Sequence, residues 1–131
     1  ILSIDIKSMK PIDNVKFLNL DIFDQSTKDD INIFFKDKID VILSDMAANT
    51  TGNKSLDSIR TNQLCSEVLV LSSKMLKPKG VFVSKLFMGE DFIEVKNLAK
   101  SLFKDVNFFK PQSSKNESKE TYLHCRALKT F

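Results

Sequence analysis

An α/β fold on a mostly parallel sheet, closed by an antiparallel pair at its end, is what this chain of 131 residues predicts. Three observations carry that expectation. Strand-like runs and helical patterns follow one another as strand, strand, helix, strand, helix, strand, helix, strand, strand, the order that builds crossover-connected sheets. The early strands each end in an acid (Asp5, Asp21 and Asp45), at the carboxyl ends where such sheets keep their ligand crevice. Only the polar loop Gln112 to Lys119 separates the last two strands, and strands joined by a loop alone pair antiparallel.

The elements follow in chain order. Ile1-Leu2-Ser3-Ile4-Asp5 is a short apolar run ending in an acid. Val15 to Leu20 alternates as a strand does. Ser26 is placed as the cap of a helix reaching Lys36, with Ile31, Phe34 and Phe35 apolar. Ile39 to Met46 is the strand bearing Asp45, and Thr50 to Lys54 is a loop around Gly52. Ser55 starts the longest helix, running to Lys77 with Leu56, Ile59, Leu64, Val68, Leu71 and Met75 as its stripe. Lys74 and Lys77 suit its C-terminal dipole, and Pro78 and Gly80 stop it. Gly80 to Lys85 is a strand. Asp91 caps a helix to Phe103 that buries Phe92, Val95, Leu98 and Leu102. Val106 to Phe109 and Glu120 to Cys125 are the closing strands.

The composition, 42% hydrophobic and 28% charged, is that of one soluble globular domain with a real core. No apolar run has the length of a membrane span, and no signal-type basic region is read. The net charge of +3 is mild, although 18 of the 20 basic residues are lysines, many in the C-terminal half. That skew permits a polyanionic partner without requiring one. Cys65 and Cys125 lack metal-ligand or redox spacing and read as buried free thiols. His124, the lone histidine, reads as structural.

The chemistry concentrates at Asp45, Lys85 and Glu120, each at the end of a strand-like segment. A lysine held there between two carboxylates is costly unless it has work to do. Asp5, Asp21 and Asp45, singly, are ordinary turn aspartates. In successive strands they point to a nucleoside-bearing cofactor, because strand-tip acids accept hydrogen bonds from ribose hydroxyls. The glycines are only Gly52, Gly80 and Gly89, so a Gly-rich cofactor loop and the strand before it are expected upstream of Ile1.

At these residues the chain resembles the FtsJ/RrmJ family of ribose 2'-O-methyltransferases. Ser44-Asp45-Met46-Ala47-Ala48-Asn49-Thr50-Thr51-Gly52 is similar to the family's SDMAPNxSG segment, and Lys77 to Phe87 to its PGGxFVxKxF strand. Lys110 to Tyr122 is similar to KPxxSRxxSxExY, and Asp5 to Pro11 to the segment after the family's second strand. The resemblance covers the whole chain. It implies a Rossmann-like class I S-adenosylmethionine-dependent methyltransferase fold, with residues 1–131 the C-terminal portion of a single catalytic domain. The family's first strand would then lie upstream, as a bridge between Ile1-Asp5 with Val15-Leu20 and the rest.

The resemblance also implies the site. Asp45, Lys85 and Glu120 match three members of a Lys-Asp-Lys-Glu catalytic set whose first lysine lies upstream. Asp5 and Asp21 match contacts to the cofactor's ribose and adenine, and Asp45 lies near its methionine end. Tyr122 and Asn49 fall at substrate-positioning places. Lys85 is the candidate general base, which must shed its proton before it can act. The implied substrate is a uridine of large-subunit ribosomal RNA, with Arg60, Lys110, Lys115 and Lys119 toward phosphate. The protein is expected to be a cytoplasmic monomer working on ribosomal RNA or the large subunit, with an organelle such as the mitochondrion as the alternative place.

Two departures from the family pattern stand out. Ala48 replaces a proline, which is expected to loosen its loop. Lys115 replaces an arginine, turning a fork-shaped donor into a point charge. Two competing readings remain: a non-catalytic RNA-binding relative of the same fold, and a Rossmann oxidoreductase using a nicotinamide cofactor.

Overall fold

The computed structural model describes residues 1–48, 51–89, 91–110 and 120–129, and the chain divides into two compact units, 1–38 and 39–131. The first unit opens with two parallel strands, β1 (Leu2–Ile4) and β2 (Lys16–Leu18), in register from Leu2↔Lys16 to Ile4↔Leu18. The Asp5 N–H donates to the Leu18 carbonyl at 3.2 Å, carrying the pairing one residue further. Helix α1 (Gln25–Phe35) starts on Asp24, not on Ser26, and Asp24 makes no side-chain cap bond. Its backbone carbonyl does the work, accepting from the N–H groups of Thr27 and Lys28. α1 buries Thr27 and Ile31 and ends where Lys36 turns left-handed, φ 57°.

The second unit holds β3 (Ile39–Ser44), α2 (Lys54–Met75), β4 (Leu76–Phe87), α3 (Phe92–Leu102), β5 (Phe103–Phe109) and β6 (Glu120–Leu128). Its sheet runs β3-β4-β6-β5, with β3 parallel to β4 and β6 antiparallel to both of its neighbours. The expected closing antiparallel pair is therefore present, and β6 inserts between β4 and β5.

The boundaries of α2 differ from the expected ones. The helix begins at Lys54, one residue before Ser55, and Asn53 caps it, its side-chain oxygen accepting from the Leu56 N–H at 3.1 Å. The helix stops at Met75 because Leu76 is already extended, φ −77° and ψ 146°. Pro78 and Gly80 do not stop it. They lie inside β4, in a bulge where the pairing moves from Ile39↔Leu76 to Val41↔Val81. Lys77, expected to complement the helix dipole, pairs instead with Asp40 across the sheet at 2.9 Å.

The buried face of α2 also differs. It comprises Thr61, Asn62, Cys65, Val68, Leu69 and Ser72, so of the expected stripe only Val68 is fully buried. Three polar residues on that face disguise it. α3 follows expectation more closely, burying Val95 and Ala99 with Phe92, Leu98 and Leu102 partly covered.

Strand alternation sorts the sheet residues. Phe82, Ser84 and Leu86 on β4, and Thr121, Leu123 and Cys125 on β6, are buried in the core with α2 and α3. Each fully covered Phe or Leu there contributes about 1.5–3 kcal/mol relative to exposure. Lys85, Phe87, Tyr122 and His124 take the alternate positions and are partly buried. Both cysteines are buried and free. Burial, then the neighbouring Cys65, pushes the Cys125 thiol up to about 12, so both stay protonated and inert at neutral pH. Among the described residues, no helix is long and apolar enough to cross a membrane.

Gly80 is where the bulge is tightest. A Cβ there would lie 2.8 Å from Leu76 Cδ2, 3.0 Å from the Lys77 carbonyl oxygen and 3.1 Å from the Asp40 carbonyl oxygen. Gly80→Ala is expected to destabilise by about 1–3 kcal/mol through overpacking. Urea denaturation measures this; a midpoint equal to the parent's would show that the bulge relaxes freely.

Candidate active site

The sheet register builds the site. Ser44 pairs with Ser84 across β3 and β4, so Asp45 and Lys85 leave adjacent parallel strands side by side. Lys85 then pairs with Tyr122 on β6, and Tyr122 with Phe109 on β5. Asp45, Lys85, Tyr122 and Phe109 thus form one transverse row. Glu120, two residues before Tyr122, shares its face of β6.

The side chains meet as that register requires. Lys85 Nζ lies 3.4 Å from Asp45 Oδ1 and 3.8 Å from Glu120 Oε1. The lysine side chain is only 14% exposed, against 71% for Asp45 and 40% for Glu120. Both separations exceed the roughly 2.7–2.9 Å of a tight charge-assisted hydrogen bond. The ammonium is flanked by its acids without being locked to either. Exposed carboxylates at such distances stabilise a fold little, so stability alone does not account for a lysine held this deep.

Tyr122 ties the row together. Its hydroxyl donates to Asp45 Oδ1 at 3.0 Å, and its ring stacks on Phe109 with centroids 5.7 Å apart and planes 22° from parallel. Burial, then the hydrogen bond to Asp45 and the charges of Asp45 and Glu120, raises the phenol above its ordinary value of 10.0. It is a donor throughout the physiological range.

Asp5 and Asp21 belong to the first unit. Both lie just past the carboxyl ends of the paired strands β1 and β2, and both are exposed. Each spends one carboxylate oxygen on a local turn: Asp5 Oδ1 accepts from the Lys7 N–H and Asp21 Oδ1 from the Phe23 N–H, each at 3.0 Å. Asn19, oriented so that its amide nitrogen faces two carbonyls, donates to Ile6 at 2.9 Å and to Asp5 at 3.0 Å. These turns fix where the carboxylates stand. Asn49, Lys115 and Lys119 lie outside the described residues. Arg60 and Lys110 are exposed.

The profile of the FtsJ-like methyltransferase family matches residues 1–128. The chain belongs to that family. Membership sets aside the nicotinamide oxidoreductase alternative. Among curated relatives of this FtsJ-like chain, ribosomal RNA large subunit methyltransferase E of Pelagibacter ubique is 45% identical over 129 residues, which cover 98% of this chain and 64% of that protein. The protein of the same name from Rickettsia akari is 45% identical over 123 residues, 94% of this chain and 54% of its own length. The chain therefore spans between about half and two thirds of these relatives. A crystal structure of a Plasmodium falciparum ribosomal RNA methyltransferase superposes with a TM-score of 0.84 at 28% identity, covering 98% of this chain and 71% of that one. A Streptococcus mutans methyltransferase solved with SAH shares the fold, with a TM-score of 0.52 at 13% identity, 95% of this chain and 69% of that one.

Two polar residues absent from the sequence-derived site stand behind this FtsJ-like row. Thr61 Oγ1 accepts from the Ala48 N–H at 3.1 Å, so the loop expected to be loosened at Ala48 has gained a bond that proline cannot make. Asn62 is wholly buried and holds the backbone of Phe87. The available signal was two polar residues on the buried side of α2, which apolar patterning passes over.

The single tyrosine of this chain, with no tryptophan, makes the row spectroscopically legible. Ultraviolet titration should show Tyr122 ionising later than a free tyrosine. Asp45→Asn removes the acceptor's charge and should lower the midpoint part of the way, since burial remains. Identical midpoints in parent and variant would show that Asp45 does not bear on the phenol.

Proposed function

We propose that this chain carries most of the catalytic machinery of an S-adenosylmethionine-dependent ribosomal RNA methyltransferase, which methylates a ribose 2'-hydroxyl, that of a uridine in large-subunit RNA. The observation that carries the reading is the deeply set Lys85 between Asp45 and Glu120 at adjacent strand ends. Family membership and the names of the curated relatives support methylation of large-subunit ribosomal RNA. The ribose hydroxyl and the uridine rest on the segments around Asp45, Lys85 and Glu120. The curated relatives are longer than the matched stretch.

The residues fit the cofactor. Asp5 and Asp21, exposed at the carboxyl ends of parallel strands, are the acceptors that ribose hydroxyls and an adenine amine call for. In the second unit, taken by itself, Asp45 past the tip of β3 is an exposed carboxylate suited to a positively charged group. S-adenosylmethionine, when bound, supplies an electrophilic methyl group on a positively charged sulfur.

The rest falls to the chain's own side chains. Lys85, in its neutral form, takes the proton from the attacking hydroxyl. Asp45 orients Lys85, and the Tyr122 hydroxyl keeps Asp45 turned toward it. Glu120 lies on the other side of the amine and balances the positive charge that Lys85 carries once it has taken the proton.

Lys85→Ala in the intact protein should lower methyl transfer by about three orders of magnitude, within the upper range for losing a general base, and leave S-adenosylmethionine affinity nearly unchanged. Labelled methyl incorporation and equilibrium dialysis check the two halves; retained turnover refutes the base assignment. Arg60 and Lys110, with Lys115 and Lys119, form the basic complement for phosphate. If they act together, RNA affinity should fall with salt at a log–log slope of roughly −0.7 per contact. A flat response would remove them from the RNA interface.

A further inference from the structure

We propose that Thr61 and Asn62, consecutive residues of α2, are positioning residues that set the tips of β3 and β4, and hence Asp45 and Lys85, in fixed relation to each other. The inference rests on the methyl-transfer reading of the row and adds to it the part that holds the row in shape.

Thr61 reaches the first tip. Its side chain is buried, 2% exposed, and its hydroxyl oxygen accepts the Ala48 N–H, three residues past Asp45. Asn62 reaches the second. Its Nδ2 donates to the Phe87 carbonyl at 2.9 Å and its Oδ1 accepts the Phe87 N–H at 2.9 Å, two residues past Lys85. The remaining Nδ2 hydrogen goes to Asp91 Oδ1, also 2.9 Å away. That bond occupies the side chain of Asp91, the N-cap of α3, which makes no side-chain cap bond to the helix. Adjacent residues on one helix thus grip the outgoing backbone of both site-bearing strands.

Stability does not explain the choice of residues. A buried amide or hydroxyl recovers little more than its desolvation cost even when fully bonded, and an apolar isostere often serves a core as well. What the polar groups add is direction, because each bond fixes one backbone group along one line. Among the described residues the β3–β4 ladder ends at Ser44↔Ser84, one residue short of Asp45 and Lys85, so beyond it β3 and β4 are not held to each other by sheet pairing. Thr61 also explains Ala48. The resemblance puts a proline at this place, which stiffens the loop through its ring. Here the stiffness comes from a hydrogen bond that needs an N–H, so position 48 and position 61 are coupled.

The coupling supplies the test, made in the intact methyltransferase with labelled S-adenosylmethionine and unmodified large ribosomal subunits. Thr61→Val and Asn62→Leu should each lower kcat by roughly 100-fold, the scale of a misplacement of about 1 Å. The KM for S-adenosylmethionine should stay within about threefold, on the same footing. Thr61→Ser, which keeps the oxygen, should recover most of the rate. Ala48→Pro should rescue Thr61→Val while harming the parent, since in the parent it strands the buried hydroxyl. Amide hydrogen exchange reads the clamp without turnover, with protection lost at Ala48 in Thr61→Val and at Phe87 in Asn62→Leu. Unchanged kcat in both variants, or a proline that harms Thr61→Val as much as the parent, overturns the proposal. A parent that transfers no methyl group while the exchange pattern holds overturns the proposed function and leaves the clamp standing.

Discussion

The register of β4 is the constraint on which the site depends. It pairs in parallel with β3 on one side and antiparallel with β6 on the other, and both ladders must be correct together. Side chains alternate along a strand, so a slip of one residue on either ladder would turn Lys85 into the core and bring Ser84 or Leu86 out. The core opposes such a slip. Phe82, Ser84 and Leu86 are enclosed on the helix side, and extracting them would expose two large apolar groups at about 1.5–3 kcal/mol each. The hydrophobic face of β4 therefore determines the chemistry of its opposite face.

Around that strand the polar parts are graded by exposure. Asp45 stands mostly in solvent, Glu120 less so, and Lys85 hardly at all. The cation is thus kept where water cannot fully solvate it, while the acids remain open to reorganise. Tyr122, a donor to Asp45 and a stacking partner of Phe109, links the open end of this gradient to the next strand.

Much of this was legible in the sequence. Asp5 and Asp45 marked strand ends because apolar runs stop there at a charge, while Lys85, read as closing its strand, lies two residues inside β4, which runs on through Leu86 and Phe87; α3 was readable because Phe92, Val95, Leu98 and Leu102 repeat at helical spacing. α2 was legible as a helix but not as a surface. Its buried face includes Thr61, Asn62 and Ser72, so an apolar stripe pointed to the wrong side. The start of β4 was hidden for a related reason. Leu76 turns extended directly after Met75 with no breaker between, and Pro78 and Gly80, ordinarily punctuation, serve a bulge within the strand. Ser26 looked like a cap and Ser55 like a helix start, but the caps are Asp24 and Asn53, each two residues earlier. What patterning cannot convey is which polar residue faces inward, because that depends on a partner many residues away.

Among the described residues β3 borders its sheet, and its outer side chains are apolar: Leu43 is 73% exposed and Val41 52%. An unpaired strand edge carrying bare aliphatic groups is a template for cross-chain pairing. It lacks the proline or inward charge with which solitary edges usually protect themselves. Recombinant material limited to these residues will tend to stick to itself through β3, and additives that block backbone pairing will keep it in solution better than added salt.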